Sequence, residues 1–549
     1  MKSLSPVLLV LTLFATRCAS ETPNVTGPPI QTHAELVDFF FEWRNFATPS
    51  MNDGVPDYTP AAMSVQYAAL PAWQARLEAA DTTGWSTSEQ IDWYLIWVEM
   101  NGLDFAHRVN RPWTEDPAFY VWFYPSPTDV PEREGPNIHG AVELPHYDRP
   151  LSAENATEIA SRLRNAPAVF TQARTNLVGN GYDFWKTSER SILEQSTALK
   201  SFSADVAAAH PDLAAAALEA EAASDSFAHW IAEQLPSKTG PSGIGKDNYT
   251  WNLRNVHLLP YTWEDLVLLM KRELARSHTA LRLEEHRNRD LPRLTKMASA
   301  EEYDQRFHAA VDEYLTFLEN EAIVPMKDYM EGALRARVGQ FTPSEGLRGF
   351  FSEITYRDPL VMRTHDYHWI DLARLREEPY TSPIRQTPLM HNAFDSRAEG
   401  MATGMEEMMM HAGLLDDKPR TRELIWVLLA QRAARGLGGL YQHGLEMTFD
   451  EATEFASKWT PWGLLPADGA TIQHEEQFYL QQPGYGTSYV IGKIEIERLI
   501  AEYARQQNGN FILSEFMDDF NRAGIIPVSL IYWELTGDKS MLNEALRVP

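Results

Sequence analysis

A single cysteine, Cys18, stands in 549 residues, and it falls within the first 20. The rest of the chain therefore has no disulfide, no thiol nucleophile and no cysteine metal ligand. Cationic residues are also in short supply, and the formal net charge is −28. So acidic a chain repels phosphate backbones and anionic lipid headgroups, which argues against nucleic-acid and membrane-surface partners. Beyond the leader no apolar run approaches the roughly 18 residues that a bilayer crossing needs, so no transmembrane span is expected. No unit of 20 to 50 residues repeats, and strand-like alternation is scarce and short. The HExxH signature of many zinc hydrolases does not occur either.

What is present is an ordinary globular composition, 44% apolar and 23% charged, which excludes general disorder. Lys2, the apolar stretch VLLVLTLFA at 7–15 and Cys18-Ala19-Ser20 together predict a signal peptide over residues 1–20. The chain is then exported, to a periplasmic or extracellular location. Arg17 just before Cys18 fits a lipidation motif poorly, so a lipid anchor is not expected. Residues 21–32 (ETPNVTGPPIQT) read as a flexible mature N-terminus. From there helical periodicity dominates, as in 89–109, 156–178 and 187–235. Residues 110–150, rich in proline and aromatics, predict a long packed loop with a little extended structure. The Gly/Pro break at 236–248 divides one mostly α domain, 33–549, into packed halves at 33–240 and 241–549. Thr262-x-x-Asp265 and Thr448-x-x-Glu451 have the form of capping boxes that open helices.

The chemistry-bearing residues gather in the second half. LVMRTHDYHWIDLARLR (360–376) fits one amphipathic helix that places His365 and His368 about 60° apart on one face. Two imidazoles on one turn and a carboxylate from a later helix make a three-ligand zinc site with an open position. Glu399, 31 residues after His368 and opening the helix EGMATGMEEMMMHAG, is the candidate carboxylate. The bland alternative is that both histidines are hydrogen-bonded groups of a core or cleft. His391 and His411 are further imidazoles that can substitute in the ligand set. Asp366, and Glu406 two turns after Glu399, are carboxylates able to take a proton. Met401, Met405 and Met408 recur at core spacing, which favours filler over a soft-metal site. His443 stands eight residues after Arg435 near a helix end, and Tyr489 follows a Pro-Gly turn where a phenol can donate to a developing oxyanion.

Four segments carry a resemblance: AEGMATGMEE (398–407), RAARGLGGLYQHG (432–444), FDEATEF (449–455) and EEQFYLQQPGYGTSYVIGK (475–493). Their order resembles that of a large, mostly bacterial family catalogued as domain of unknown function 885, which includes exported lipoproteins and oligopeptidases. Upstream, SRLRNAPAVFTQARTNL and IGKDNYTWNLRNVHLLPYTWEDL are similar to its N-terminal half. The resemblance implies a large multi-helical, zincin-like fold and a metal-dependent hydrolase. It places Glu399 at the third metal ligand, Glu406 at a later glutamate of that helix, His443 at a histidine closing an arginine-rich helix, and Tyr489 at the tyrosine of a Pro-Gly turn. The form is divergent: where the family carries HE-x-x-PGHH, this chain has THDYHW.

The leading expectation is thus an exported, oligopeptidase-like hydrolase. His365, His368 and Glu399 hold zinc, Asp366 or Glu406 is the base, and His443 and Tyr489 stabilise an oxyanion on a small-molecule or short-peptide substrate. Two alternatives share the scaffold. One is a metal-independent lyase or glycan-active enzyme, for which 16 Trp and 21 Tyr offer stacking platforms. The other is a non-catalytic exported binding protein with a decayed site. Substrate identity and oligomeric state are not written in the sequence.

Overall fold

The computed structural model of the chain describes residues 27–547. The expected signal peptide at 1–20, Cys18, and residues 21–26 of the N-terminal segment lie outside the described residues. His33 already opens a helix, His33–Ala47, behind a Thr32/Glu35 capping box. The described chain is a large multi-helical, all-α fold, as expected. Among the described residues the strands are two pairs of dipeptides, Met51–Asn52 with Val55–Pro56 and Phe123–Tyr124 with Val142–Glu143.

Local chemistry sets the helix ends. The Thr262/Asp265 and Thr448/Glu451 boxes both form, each side chain bonding the other residue's backbone N–H. This satisfies donors that a helix N-terminus otherwise leaves free. The periodic stretch at 156–178 is two helices, Ala153–Leu163 and Ala166–Asn176, because Pro167 takes the first turn of the second, where its missing N–H costs nothing. The periodic stretch at 187–235 is two helices, Tyr182–Val206 and Pro211–Gln234, joined by a turn at 207–210 and packed along each other. The 110–150 stretch is a long packed loop with short helical turns and the Phe123–Val142 bridge, in keeping with its composition.

Apolar burial divides the molecule unevenly. One cluster joins Trp122, Phe170, Trp185 and Phe227 in the 58–231 region. A larger one joins Phe39, Trp43 and Leu95 to Leu428, Ile496 and Leu530, so the first helices close over the C-terminal half. A third fills the space between the Trp263–Arg287 and Pro419–His443 helices.

Two helices of the C-terminal half, Asp395–Ala412 and Tyr485–Gln506, cross at backbone contact. A Cβ on Gly492 would stand 1.9 Å from the Ser396 carbonyl oxygen, and one on Gly400 would stand 2.4 Å from the Gly492 carbonyl carbon. Nothing but glycine permits this approach, and the obstacles are main chain that cannot rotate aside. Gly492→Ala is therefore expected to lower unfolding free energy by about 1–3 kcal/mol. Gly404→Ala meets the flexible tip of Met408 at 3.3 Å and Lys493 at an ordinary contact distance of 3.9 Å. It should be neutral or stabilising by up to ~1 kcal/mol. Urea unfolding of the two variants checks the contrast, and equal losses would refute the crossing as the constraint.

Candidate metal centre

The segment expected to be one helix over 360–376 is two, Pro359–His365 and Tyr367–Glu377, separated at Asp366 (φ −62°, ψ 5°). An aspartate competes with the helix for local hydrogen bonds, which makes a break at this residue physically reasonable. The two rings nevertheless stay together, with His365 and His368 centroids 5.1 Å apart and edge to face. The helix that carries Glu399 begins one turn earlier than expected, at Asp395. It follows His391 and Asn392, both in the left-handed region (φ 58° and 52°).

Both histidine-bearing helices pack on the Glu399 helix. His365, His368 and Glu399 each offer a ligand atom, and these atoms lie within 4.8 Å of one another. His368 is 3% exposed and Glu399 2%. His368 Nε2 and Glu399 Oε2 lie 3.3 Å apart, yet neither has an aligned hydrogen-bond partner. The two face each other as a buried ion pair poorly aligned for a hydrogen bond, an arrangement that an ion beside them would complete. Glu399 Oε1 accepts from the Tyr485 hydroxyl at 2.9 Å, and the Tyr489 hydroxyl donates to Tyr485 at 3.1 Å.

A second layer fixes the first. His365 Nδ1 is 3.1 Å from Glu406 Oε1 and 3.3 Å from an Arg432 nitrogen. Arg432 also donates to both Glu406 oxygens, at 2.6 and 2.7 Å, so Nδ1 stands between a guanidinium donor and a carboxylate acceptor. With its proton on Nδ1 facing Glu406, His365 would present a free Nε2 lone pair, the carboxylate–histidine arrangement that orients metal ligands.

Electrostatics follow from burial and proximity. Burial works against a charge on His368, but Glu399 and then Asp129 outweigh it and hold its pKa up at about 9. Burial would raise Glu399, and His368 beside it brings it instead to about 2. Two loop carboxylates complete the surroundings. Asp129 and Glu134 each bring an oxygen within 4.8 Å of Glu399 and of each other. Burial, then Asp129, with Glu399 contributing, raises Glu134 to about 8.

The remaining expected residues are placed as follows. Asp366 lies 2.7 Å from Arg363, and burial raises its carboxyl. Glu406 is not a free base, since its carboxylate is clamped by Arg432. His443 lies eleven residues beyond Arg432 on the same helix, about 16 Å along its axis. Its Nε2 donates to the Tyr479 carbonyl at 2.7 Å, its ring packs on Tyr249, and burial lowers its pKa to about 4. It belongs to the scaffold around Tyr479 and not to the histidine–glutamate cluster. Tyr489 reaches Glu399 only through Tyr485. His391 is half-buried against Gly102 and lines a cavity of about 490 Å³ together with Arg44, Gln482 and Gly135. His411 is 65% exposed and pairs with Glu407. Neither joins the cluster. Asp129, Glu134, Tyr485 and Arg432 are members of the site that the sequence alone does not reveal. Only Tyr485 carries a usable sign, one helical turn before Tyr489 on the same face.

A family model described as "Bacterial protein of unknown function (DUF885)" matches residues 44–336 and 368–535. The unmatched interval contains His365 and Asp366, and the match resumes at His368. Two solved structures share the fold. One is a provisionally named lipoprotein of unknown function from Shewanella oneidensis (16% identity, TM-score 0.64, covering 91% of this chain and 97% of that one). The other is a similarly named lipoprotein from Colwellia psychrerythraea (13%, 0.63, 93% and 97%). At such identities the likeness is one of fold. No curated protein matches.

In metal-free protein the His368–Glu399 pair makes stability depend on pH. His368 is raised above its usual 6.5, so its contribution is complete below pH 6.5 and disappears as pH rises through about 9. Glu399 is depressed below its usual 4.5, so its contribution is complete above pH 4.5 and disappears as pH falls through about 2. His368→Ala should abolish the decline in melting temperature between pH 6.5 and 9, and an unchanged slope would refute the pairing. Arg432→Met strands the buried Glu406 charge and is expected to cost about 3–5 kcal/mol, measured by denaturant titration.

Proposed function

The chain belongs to the family Bacterial protein of unknown function (DUF885), and on that premise we propose that it is an exported metal-dependent hydrolase acting on short peptides or similarly small substrates. The observation that carries this reading is the convergence of His365, His368 and Glu399, whose ligand atoms lie within 4.8 Å of one another, with His368 Nε2 and Glu399 Oε2 buried 3.3 Å apart and without an aligned hydrogen bond. Two imidazole nitrogens and one carboxylate oxygen are a donor set suited to zinc with an open position. Bound there, zinc would supply Lewis acidity toward a substrate carbonyl.

The chain's own residues supply the rest. Glu406 and Arg432 orient His365. Tyr485 fixes Glu399, and Tyr489 adds a second phenol whose ring lies under the Arg435 guanidinium at 4.6 Å. Its hydroxyl donates to Tyr485 in the free protein and would have to turn from it to donate to an oxyanion as charge develops. Asp366 is the remaining candidate proton acceptor: burial raises its basicity, and Arg363, 2.7 Å from its Oδ2, opposes that rise. Glu406 orients and does not take protons. The cavity beside the loop at Gly135 and Gln482 is lined by none of His365, Asp366, His368, Glu399, Tyr485 or Tyr489, so it adjoins the loop and is not the wall of this site. The naming of both similar structures as lipoproteins supports export, with or without a lipid anchor.

Metal analysis after reconstitution tests the reading. Wild-type protein is expected to retain at least about one equivalent of zinc, and His368→Ala and Glu399→Gln to retain little. Hydrolysis of a short-peptide panel should fall by more than about 100-fold in Glu399→Gln and on chelation. Zinc-free protein that remains active would transfer the chemistry to a metal-independent acid–base pair.

A further inference from the structure

Glu399 belongs to two groups of potential ligands at once. Besides His365 and His368 it faces Asp129 and Glu134, and the three carboxylate oxygens of this second group lie within 4.8 Å of one another. Among the described residues no lysine or arginine pairs with any of the three. Arg133, between the two acids in sequence, is turned onto Glu143 at 2.7 Å. The basic side chain that faces them is His368, 3.3 Å from Glu399; once its nitrogen ligates zinc it brings them no proton, and carboxylates gathered this closely then repel strongly unless a cation stands among them.

Two further observations point to a ligand. Glu399 Oε2 is buried without an aligned hydrogen bond, and so is Asp395 Oδ1, one helical turn before it and wholly buried. The loop is also fastened in place and does not merely drape over the site. Gly135 N–H donates to Gln482, and the Gln482 amide donates to Asp395. Asn392 donates to the Arg133 carbonyl at 3.4 Å, and the Thr128 hydroxyl donates to Glu134 at 2.9 Å.

We propose that Asp129, Glu134 and Glu399 form a second cation site, for a hard divalent ion such as Mn²⁺, Mg²⁺ or Ca²⁺, adjoining the His365/His368/Glu399 site and sharing its glutamate. An all-oxygen, three-carboxylate set selects hard ions, whereas the imidazole set selects zinc. A carboxylate common to both is the arrangement that holds two ions about 3.5–4 Å apart in two-metal hydrolases. The proposal deepens the hydrolase reading and rests on it for the first ion.

Mn²⁺ is the probe. Zinc-loaded protein in about 0.15 M salt, where surface charge is screened, is titrated with Mn²⁺, and free Mn²⁺ is followed by electron paramagnetic resonance. The expected result is about one tightly bound Mn²⁺ beyond the zinc. Asp129→Asn and Glu134→Gln should weaken it at least 10-fold while zinc content is unchanged. Both replacements relieve repulsion, so metal-free melting temperatures should not fall. Thr128→Val, outside the ligand set, should weaken Mn²⁺ binding by a smaller factor. No Mn²⁺ uptake by zinc-loaded wild type overturns the second site and leaves the hydrolase reading standing. Uptake that both acid replacements leave unchanged is an adventitious ion only, and overturns it equally. Mn²⁺ retained by His368→Ala while wild type binds no zinc supports the carboxylate site and defeats the hydrolase reading instead.

Discussion

A carboxylate withdrawn from water with no arginine or lysine beside it has to be neutralised by something else, and Glu399 is in that position. Its partners are one imidazole and one phenol. Ionised carboxylates in a low-dielectric interior cost several kcal/mol unless paired. The strain can be carried because the scaffold leaves no alternative. The Gly400–Gly492 crossing sets the Glu399 helix against the Tyr485 helix, and both histidine helices pack on the same element. Relaxing the charge would mean moving main chain.

The cations are kept one layer out. Arg432 clamps Glu406, Arg397 holds Asp371 at 2.5 Å, and Arg276 with Lys493 holds Glu407. Each pair joins the Glu399 helix to a different neighbour. Buried ion pairs are weak sources of net stability, because desolvation offsets much of the attraction, yet losing one partner is costly. Their effect is to fix register. The helix that carries Glu399 cannot rotate without stranding Glu406 or Glu407, so the free carboxylate stays aimed at the histidines.

Much of this is legible in the sequence, and the exceptions share a physical cause. Helical periodicity and the Thr262 and Thr448 capping boxes are local signals, and the structure carries them. The methionine stripe is core, with Met401 and Met405 buried. The early start at Asp395 leaves no sequence signal because that helix has no side-chain cap, its N-cap being Phe394. The break at Asp366 is hidden because apolar spacing continues across it. Asp129 and Glu134 lie in a proline-rich loop without periodicity, and only tertiary hydrogen bonds through Gln482 and Asn392 bring them to Glu399. Proximity between segments so far apart in the chain leaves no mark in either. His443 enters by likeness of motif, and its position three turns beyond Arg432 separates it from the cluster.

The break in the family match from 337 to 367 bears on how the site is assembled. In a motif that carries several ligands on one turn, local helix formation orders the donors before the rest of the chain folds. Here His365 and His368 come from two short helices of seven and eleven residues, Glu399 from a third, and Asp129 and Glu134 from a distant loop. Helices so short are marginal alone and depend on packing. The donors are therefore ordered only when the Gly400–Gly492 crossing and the Arg432–Glu406 clamp are in place. An ion at such a site would bind the folded chain far better than the unfolded one, and its binding free energy would add to that of folding. The unsatisfied atoms at the centre would then be the part of the fold left for the ligand to complete.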